Sequence, residues 1–210
     1  MSKKPQYSKK LLVEGNDDVH VLLALCNCFE IEANFEILDS KGIDNLFATI
    51  PVRLKEPNFR TIGIIIDADT DIGARWKQLK KIFKEAGYTL PEDLPSEGLI
   101  AEVTEKIRIC VWIMPDNNLN GMLEDFIAFL IPTDDVILPI VLEHIENLEK
   151  KGLQKFKPIH RSKAIIHAWL ALQEDPGTPM GLSITKRYLT ANQVTCGKFI
   201  AWLKAFSLQK

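Results

Sequence analysis

The chain has 210 residues, of which 46% are hydrophobic and 26% charged, and its formal net charge is −2. This length predicts one domain, or one domain with an appendage, and the composition excludes disorder, collagen and coiled coil as descriptions of the whole chain. The charge is unevenly distributed. Residues 1–150 carry 16 Lys and Arg against 26 Asp and Glu, a net −10, whereas residues 151–210 carry 10 against 2, a net +8. An acidic body with a basic tail is the first indication of function.

The cysteine content, the first ten residues and the apolar runs together predict the cellular compartment of the protein. Four cysteines are too few and too scattered for a disulfide framework. The polar, basic stretch 1–10 has no apolar run behind it and does not resemble a signal peptide. The longest apolar runs fall well short of the ~18 residues that a transmembrane helix needs. We therefore expect a cytoplasmic protein without a membrane partner.

The first half of the chain alternates short apolar runs with helical patterns. Strands are predicted at 11–13, 35–38, 61–66 and 107–114. Helices are predicted between them at 17–30, 43–54 and 74–86, and segment 88–102, which contains two prolines, is predicted to be a loop. The β-branched run 61–66 is typical of a strand buried on both faces. This order predicts an α/β fold with a mostly parallel, Rossmann-like sheet flanked by helices.

From residue 121 onward the pattern is helical. Helices are predicted at 122–131, 134–151, 161–173, 183–190 and 195–207. Aromatic residues in the last two thirds of this region follow helical spacing and are expected in the core: Trp169, Phe199, Trp202 and Phe206. The sequence thus predicts an α/β domain over residues 1–125 and a helical C-terminal region over residues 126–210 packed on it.

Acidic residues follow three of the predicted strands. The candidates for a site, in chain order, are Glu14, Asp18, Asp67, Asp69, Asp71, Glu124 and Asp125. Because parallel strands end at one edge of the sheet, where open α/β folds bind ligands, we expect these carboxylates to converge. Clustered carboxylates repel one another unless a cation lies among them. Oxygen ligands without His or Cys partners favour a hard ion, Mg²⁺ or Mn²⁺.

Ordinary structural roles are the alternative for several of these acids. Asp17 or Asp18 alone would serve as a helix N-cap, and Glu124 and Asp125 would be favoured by the dipole in the first turn of a helix. The three acids of segment 67–71 directly follow a buried strand, where they cost stability without a ligand, so a metal role is favoured there. The spacing does not fit an EF-hand loop, and the P-loop pattern is absent.

Two short motifs resemble those of the toprim domain. Segment 13–18, Val-Glu-Gly-Asn-Asp-Asp, resembles the first motif, a strand followed by Glu-Gly and a helix. Segment 66–69, Ile-Asp-Ala-Asp, resembles the second, Asp-x-Asp after a buried strand, although the glycine expected next falls one position late at Gly73. The resemblance covers residues 8–125. It is nearest to short toprim-like proteins related to the nuclease half of the OLD (overcoming lysogenization defect) family, which segments 121–125 and 167–171 also resemble.

The resemblance implies a magnesium-dependent nuclease that hydrolyses nucleic acid phosphodiesters. It implies that Glu14 is a metal ligand or a general acid/base and that Asp67 and Asp69, in the same run as Asp71, hold one Mg²⁺ or Mn²⁺ ion. Asp18, together with Glu124 or Asp125, would hold a second ion. Two ions about 4 Å apart can activate water and stabilise the leaving oxygen of a phosphodiester.

A lysine for transition-state charge is also implied, and Lys163 is the candidate, with an ordinary solvated lysine as the alternative. The basic tail could hold substrate phosphates, since an acidic metal site alone repels nucleic acid; a solvated helical surface is the equal alternative. We expect DNA rather than RNA as partner. OLD nucleases work with an ATPase half, so a separate ATPase partner is also expected, and a homo-oligomer is left open.

Two other classes of function compete with a nuclease. One is a non-catalytic module that keeps the fold and binds nucleic acid or a partner protein. The other is a small phosphotransferase or phosphatase that acts on free nucleotides. Cleavage of plasmid would favour the nuclease, and binding of DNA without cleavage would favour the non-catalytic module. Turnover of free nucleotides would favour the phosphotransferase or phosphatase.

Overall fold

A five-stranded sheet forms the centre of the protein, in a computed structural model that describes residues 7–57, 59–102 and 107–208. Its strands are β1 (Lys9–Val13), β2 (Glu36–Asp39), β3 (Thr61–Asp67), β4 (Leu99–Ala101) and β5 (Arg108–Met114). The order is β2-β1-β3-β5-β4, and every neighbouring pair is parallel except β4 and β5. The predicted α/β fold with a mostly parallel sheet is confirmed.

Helices cover both faces of this sheet. They are α1 (Asn16–Cys28), α2 (Ile43–Arg53), α3 (Ile72–Glu85), α4 (Leu123–Phe129), α5 (Leu138–Lys150), α6 (Arg161–Ala171), α7 (Met180–Thr185) and α8 (Gln193–Ser207), with a 3₁₀ turn at Pro158–His160. The prediction for α7 was displaced toward the C-terminus, because the helix starts directly after Pro179 and the positive φ of Arg187 ends it. Across the described residues, no helix has both the length and the apolar character to cross a membrane.

The prediction of a loop over residues 88–102 was wrong in part, because β4 lies at its end. This strand has only three residues and pairs antiparallel with β5, where Leu99 lies opposite Val111. The indole Nε1 of Trp202 donates a hydrogen bond to the Leu99 carbonyl at 3.0 Å. Non-local partners therefore hold a segment that is too short to show a strand period.

The two faces of β3 carry two separate cores. Ile62, Ile64 and Ile66 pack with α2 and α3, whereas Ile65 packs in the core of α1 and the C-terminal helices. Gly63 faces α8 so closely that a Cβ there would lie 2.6 Å from the Leu11 side chain and 2.7 Å from the Phe206 ring. The aromatic residues that were expected in the core of the helical region are buried. That region thus forms the layer that covers one face of the sheet.

Candidate functional site

Carboxylates from β1 and β3 meet at the carboxyl edge of the sheet. The two strands are parallel neighbours, and Glu14, which directly follows β1, lies beside Asp67, the last residue of β3. Glu14 Oε1 accepts a hydrogen bond from the backbone N–H of Asp67 at 2.7 Å. Asp67 Oδ1 in turn accepts one from the backbone N–H of Leu123, the first residue of α4, at 2.9 Å. These two bonds tie both strand ends and α4 together.

Asp18 lies in the first turn of α1 and is buried against the same edge. Its Oδ2 accepts a hydrogen bond from the backbone N–H of Gly15, the N-cap residue, at 3.0 Å. The alternative interpretation expected Asp17 or Asp18 to be the N-cap; the N-cap is instead Gly15, and Asp18 caps its backbone N–H from the third helical position. Burial raises the pKa of Asp18 from 3.8 to about 7, and the charges of Glu14 and Glu124 add to the effect. The negative charge of an ionised Asp18 is therefore poorly compensated by its surroundings.

The pKa values of the other two acids shift in the same direction. Burial raises the pKa of Glu14, although the hydrogen bond from Asp67 N–H and the nearby Arg75 oppose this. Burial also raises the pKa of Asp67 well above its ordinary value, with further contributions from the charges of Glu14, Asp18, Glu124 and Asp69. Five carboxyl groups thus act on one another at this edge, and a cation among them would relieve their repulsion.

Asp69, at the same edge, is paired with an arginine. Its backbone has a φ of +52° and pairs with Gly121 through two hydrogen bonds of 2.8 Å, which join the loop after β3 to the loop after β5. Its carboxylate forms an ion pair with the guanidinium of Arg75 in the first turn of α3. The positive φ takes Asp69 out of the extended conformation of β3, which ends at Asp67.

Glu124 and Lys163 form an ion pair in which the acid is buried and the base is half-exposed. The Glu124 side chain is only 4% exposed, and its Oε1 lies 3.2 Å from Lys163 Nζ. Partial burial opposes the charge of Lys163, but the Glu124 carboxylate, together with Asp17 and Asp67, raises the pKa of Lys163 overall. The lysine proposed from sequence therefore lies at the carboxylate edge, on the first turn of α6.

The two remaining candidates make capping contacts. Asp71 is the N-cap of α3, where its Oδ1 accepts a hydrogen bond from Ala74 N–H at 2.9 Å. Asp125 accepts one from Met122 N–H at 2.8 Å and one from the Ser162 hydroxyl at 2.5 Å. Each carboxylate thus has local donors that account for its position.

The chemistry of the donors suits a hard cation, but their arrangement is not that of a finished metal site. The carboxylates offer oxygen only, the donor type preferred by Mg²⁺ and Mn²⁺. Within residues 7–57, 59–102 and 107–208, however, no group of three or more His, Cys, Asp or Glu side chains is placed to hold a metal ion. Each acid instead faces a backbone N–H, Arg75 or Lys163. Binding of an ion would therefore require side chains to turn away from these donors.

Sequence reasoning missed two polar residues of this edge. Arg75 neutralises Asp69, and Ser162 donates to Asp125 from α6. Arg75 lies four residues after Asp71 on a predicted helix, so its place near the acids was readable from spacing. Ser162 lies 37 residues beyond Asp125, and no local pattern indicates that contact.

The chain belongs to the family described as "Protein of unknown function (DUF3226)", whose model matches residues 8–208. A comparison with curated proteins finds no match. Among solved structures, the chain is similar to the C-terminal region of the Xanthomonas campestris pv. campestris OLD protein, at 17% identity and a TM-score of 0.38. The match covers 96% of this chain and 84% of that one.

Proposed function

We propose that the protein is a divalent-metal-dependent nuclease that hydrolyses phosphodiesters of nucleic acid at the carboxylate edge, with a toprim-like arrangement of acids. The observation that carries this proposal is the clustering of the buried Asp18 with the half-buried Glu14 and Asp67 at the edge where β1 and β3 end, with all three pKa values raised. Buried acids that repel one another cost stability, and a divalent cation bound among them offsets that cost.

The proposal assigns ligands by position. Asp67 and Asp69 would hold one Mg²⁺ or Mn²⁺ ion after Asp69 leaves Arg75. Asp18 and Glu124, which act on each other electrostatically, would hold a second ion after Glu124 leaves Lys163. Such ions, when bound, lower the pKa of water and stabilise charge on phosphate oxygens.

Three side chains of the chain itself have further roles in this proposal. Glu14, whose pKa is raised by burial, would be the general acid or base. Arg75 and Lys163, once released from their acids, are cations at the same edge that can contact the substrate phosphate. The pairs seen here keep these cations in place when no ion is bound.

Nicking of supercoiled plasmid tests the proposal. We expect the wild-type protein to nick plasmid with Mg²⁺ or Mn²⁺ and not with EDTA, and we expect Asp67→Asn to abolish nicking. Asp134→Asn is the matched control, since Asp134 is exposed and undergoes the same chemical change. Wild-type protein that never nicks, or equal nicking by Asp67→Asn, would contradict the proposal.

A non-catalytic module that binds nucleic acid or a partner protein, such as a separate ATPase, is the second candidate. It is favoured by the pairing of Asp69 with Arg75 and of Glu124 with Lys163, which neutralises two acids without any metal. In that case DNA binding would depend on salt, and plasmid would stay intact with every divalent ion. Nicking that appears only when an ATPase is added would instead restore the first candidate.

A further inference from the structure

A groove of about 1110 Å³ runs along α3, on the face of the sheet opposite to the C-terminal helices. One wall is α3 from Gly73 to Lys84, and the other is the segment Tyr88–Asp93, which returns alongside the helix. The lysines of the groove are Lys77, Lys80, Lys81 and Lys84, and its acids are Glu92 and Asp93. The lining is therefore basic on balance, although the first 150 residues are acidic as a whole.

The lysines of α3 differ in how firmly they are held. Lys77 and Lys84 are exposed, and neither forms an ion pair within the described ranges. Lys81 lies 4.0 Å from Glu85, in an exposed pair of the kind that contributes little. Three of the four lysines are thus available to an anion.

The fourth lysine, Lys80, joins the two walls of the groove. Lys80 Nζ lies 2.8 Å from both the carbonyl and a carboxylate oxygen of Glu92. Trp76, from the turn before, donates a hydrogen bond from its indole Nε1 to the same carbonyl at 2.9 Å. These contacts fix the second wall against α3 and neutralise one of the two acids that line the groove.

The spacing of the available lysines suits a row of phosphates. Lys77, Lys81 and Lys84 follow the i, i+4, i+7 pattern and so lie on one face of α3. Seven residues of helix span about 10 Å, which is the rise of about three nucleotides in one strand of B-DNA. The groove starts in the first turn of α3, directly after the loop with Asp69 and Asp71 that follows Asp67 at the end of β3.

The basic tail carries both paired and exposed cations, and its exposed ones, Lys151, Lys155, Lys157, Arg187 and Lys204, do not line this groove. Four of its members are paired with carboxylates: Arg161 with Glu149, Lys163 with Glu124, Lys186 with Asp175 and Lys198 with Glu97. Net charge along the sequence therefore points to the tail, whereas free positive charge beside a groove lies on α3.

We infer that the groove along α3 binds the phosphate backbone of a nucleic acid strand through Lys77, Lys81 and Lys84, and that it positions this strand at the carboxylate edge. The inference rests on the proposed function, since it supplies a path for the same substrate. Its contacts are to phosphate, so the groove holds the strand without selecting a base sequence.

Fluorescence anisotropy with a short labelled DNA strand tests the inference in EDTA, where no cleavage occurs. The variant is Lys77→Gln/Lys84→Gln, because glutamine keeps helix propensity and both residues are exposed. Lys155→Gln/Lys157→Gln, two exposed lysines of the tail, is the matched control with the same change of charge. Thermal melts of all three proteins check that folding is unchanged.

The expected effect follows from counterion release. Each lost phosphate contact on a single strand lowers the salt slope by about 0.7, which is about fivefold in affinity at 0.1 M salt. The α3 variant should therefore bind about 25-fold more weakly, with a slope lower by about 1.4, while the tail variant stays within about twofold of wild type. Equal losses in both variants, or an α3 variant that binds like wild type, would overturn the assignment.

Two combinations of binding and nicking results distinguish a failure of the groove from a failure of the proposed nuclease. If wild-type protein binds DNA through Lys77 and Lys84 but never nicks plasmid, the proposed nuclease fails and the groove stands. If wild-type protein nicks plasmid and the α3 variant nicks and binds as well as wild type does, only the groove assignment fails. A poly-glutamate peptide of matched charge that binds as tightly as DNA, with the same dependence on Lys77 and Lys84, would show that the groove accepts an acidic polypeptide and would also overturn the inference.

Discussion

Removing the buried charge of Asp18 should change how stability depends on pH. The folded state raises the pKa of this carboxyl from 3.8 to about 7, mainly through burial. A group whose pKa is raised on folding binds more protons in the folded than in the unfolded state. The free energy of unfolding of the metal-free protein therefore falls as pH rises from about 4 through about 7. Glu14 and Asp67 shift in the same direction and add to the fall.

The size of the effect follows from the two pKa values. The difference between 3.8 and about 7 corresponds to about 4 kcal/mol at high pH. Of this, about 2.5 kcal/mol is lost between pH 5 and pH 8, because the unfolded carboxyl is already mostly ionised at pH 5. Such a loss is a large share of the ~5–15 kcal/mol that stabilises an ordinary domain.

Urea unfolding of the metal-free protein at several pH values measures this dependence. Asp18→Asn keeps an oxygen that can accept from Gly15 N–H and removes the charge, so its stability should fall by about 2.5 kcal/mol less than that of wild type between pH 5 and pH 8. Addition of Mg²⁺ at pH 8 should restore stability to wild type more than to the variant. Equal pH dependence in the two proteins, or a wild type that gains stability above pH 5, would refute the reasoning.

Three other substitutions test separate parts of the structure. Gly63→Ala should lower the free energy of unfolding by about 1–3 kcal/mol in urea, because the new Cβ would overlap Leu11 and Phe206; an unchanged midpoint would mean that α8 does not approach β3 so closely. Asp71→Ala should cost about 1 kcal/mol through loss of the α3 N-cap, whereas Asp71→Ser should keep both stability and any nicking activity; loss of nicking with intact stability in Asp71→Ser would make Asp71 a ligand. Lys163→Gln should destabilise the metal-free protein by about 1 kcal/mol, since it leaves the buried Glu124 unpaired, and Mg²⁺ should reduce that loss; a loss unaffected by Mg²⁺ would argue against Glu124 as a ligand.

Much of the α/β half was predictable because its signals are local. The apolar runs at 61–66 and 107–114 lie within β3 and β5, and helical spacing located α1, α2 and α3 closely. β4 was not predicted, because three residues are too few to show the strand period. Its pairing with β5 and its hydrogen bond from Trp202 depend on distant parts of the chain.

The acids of the site were partly predictable for the same reason. Their position after parallel strands predicted that Glu14 and Asp67 would meet at one edge, and the hydrogen bond between Glu14 and Asp67 shows that they do. The positive φ of Asp69, its backbone pairing with Gly121 and the ion pair of its carboxylate with Arg75 were not predictable from this position, because they depend on the loop after β5 and on α3.

Sequence alone determined the alternation of strands and helices, the acidic residues at strand ends and the uneven charge along the chain, because each depends on neighbours a few residues away. Only the tertiary structure decided which charges are free. It paired four cations of the basic tail with carboxylates and left Lys77 and Lys84 of α3 exposed beside a groove. The physical reason is that a charge acts through the groups within a few ångströms of it, and folding, not sequence order, sets those distances.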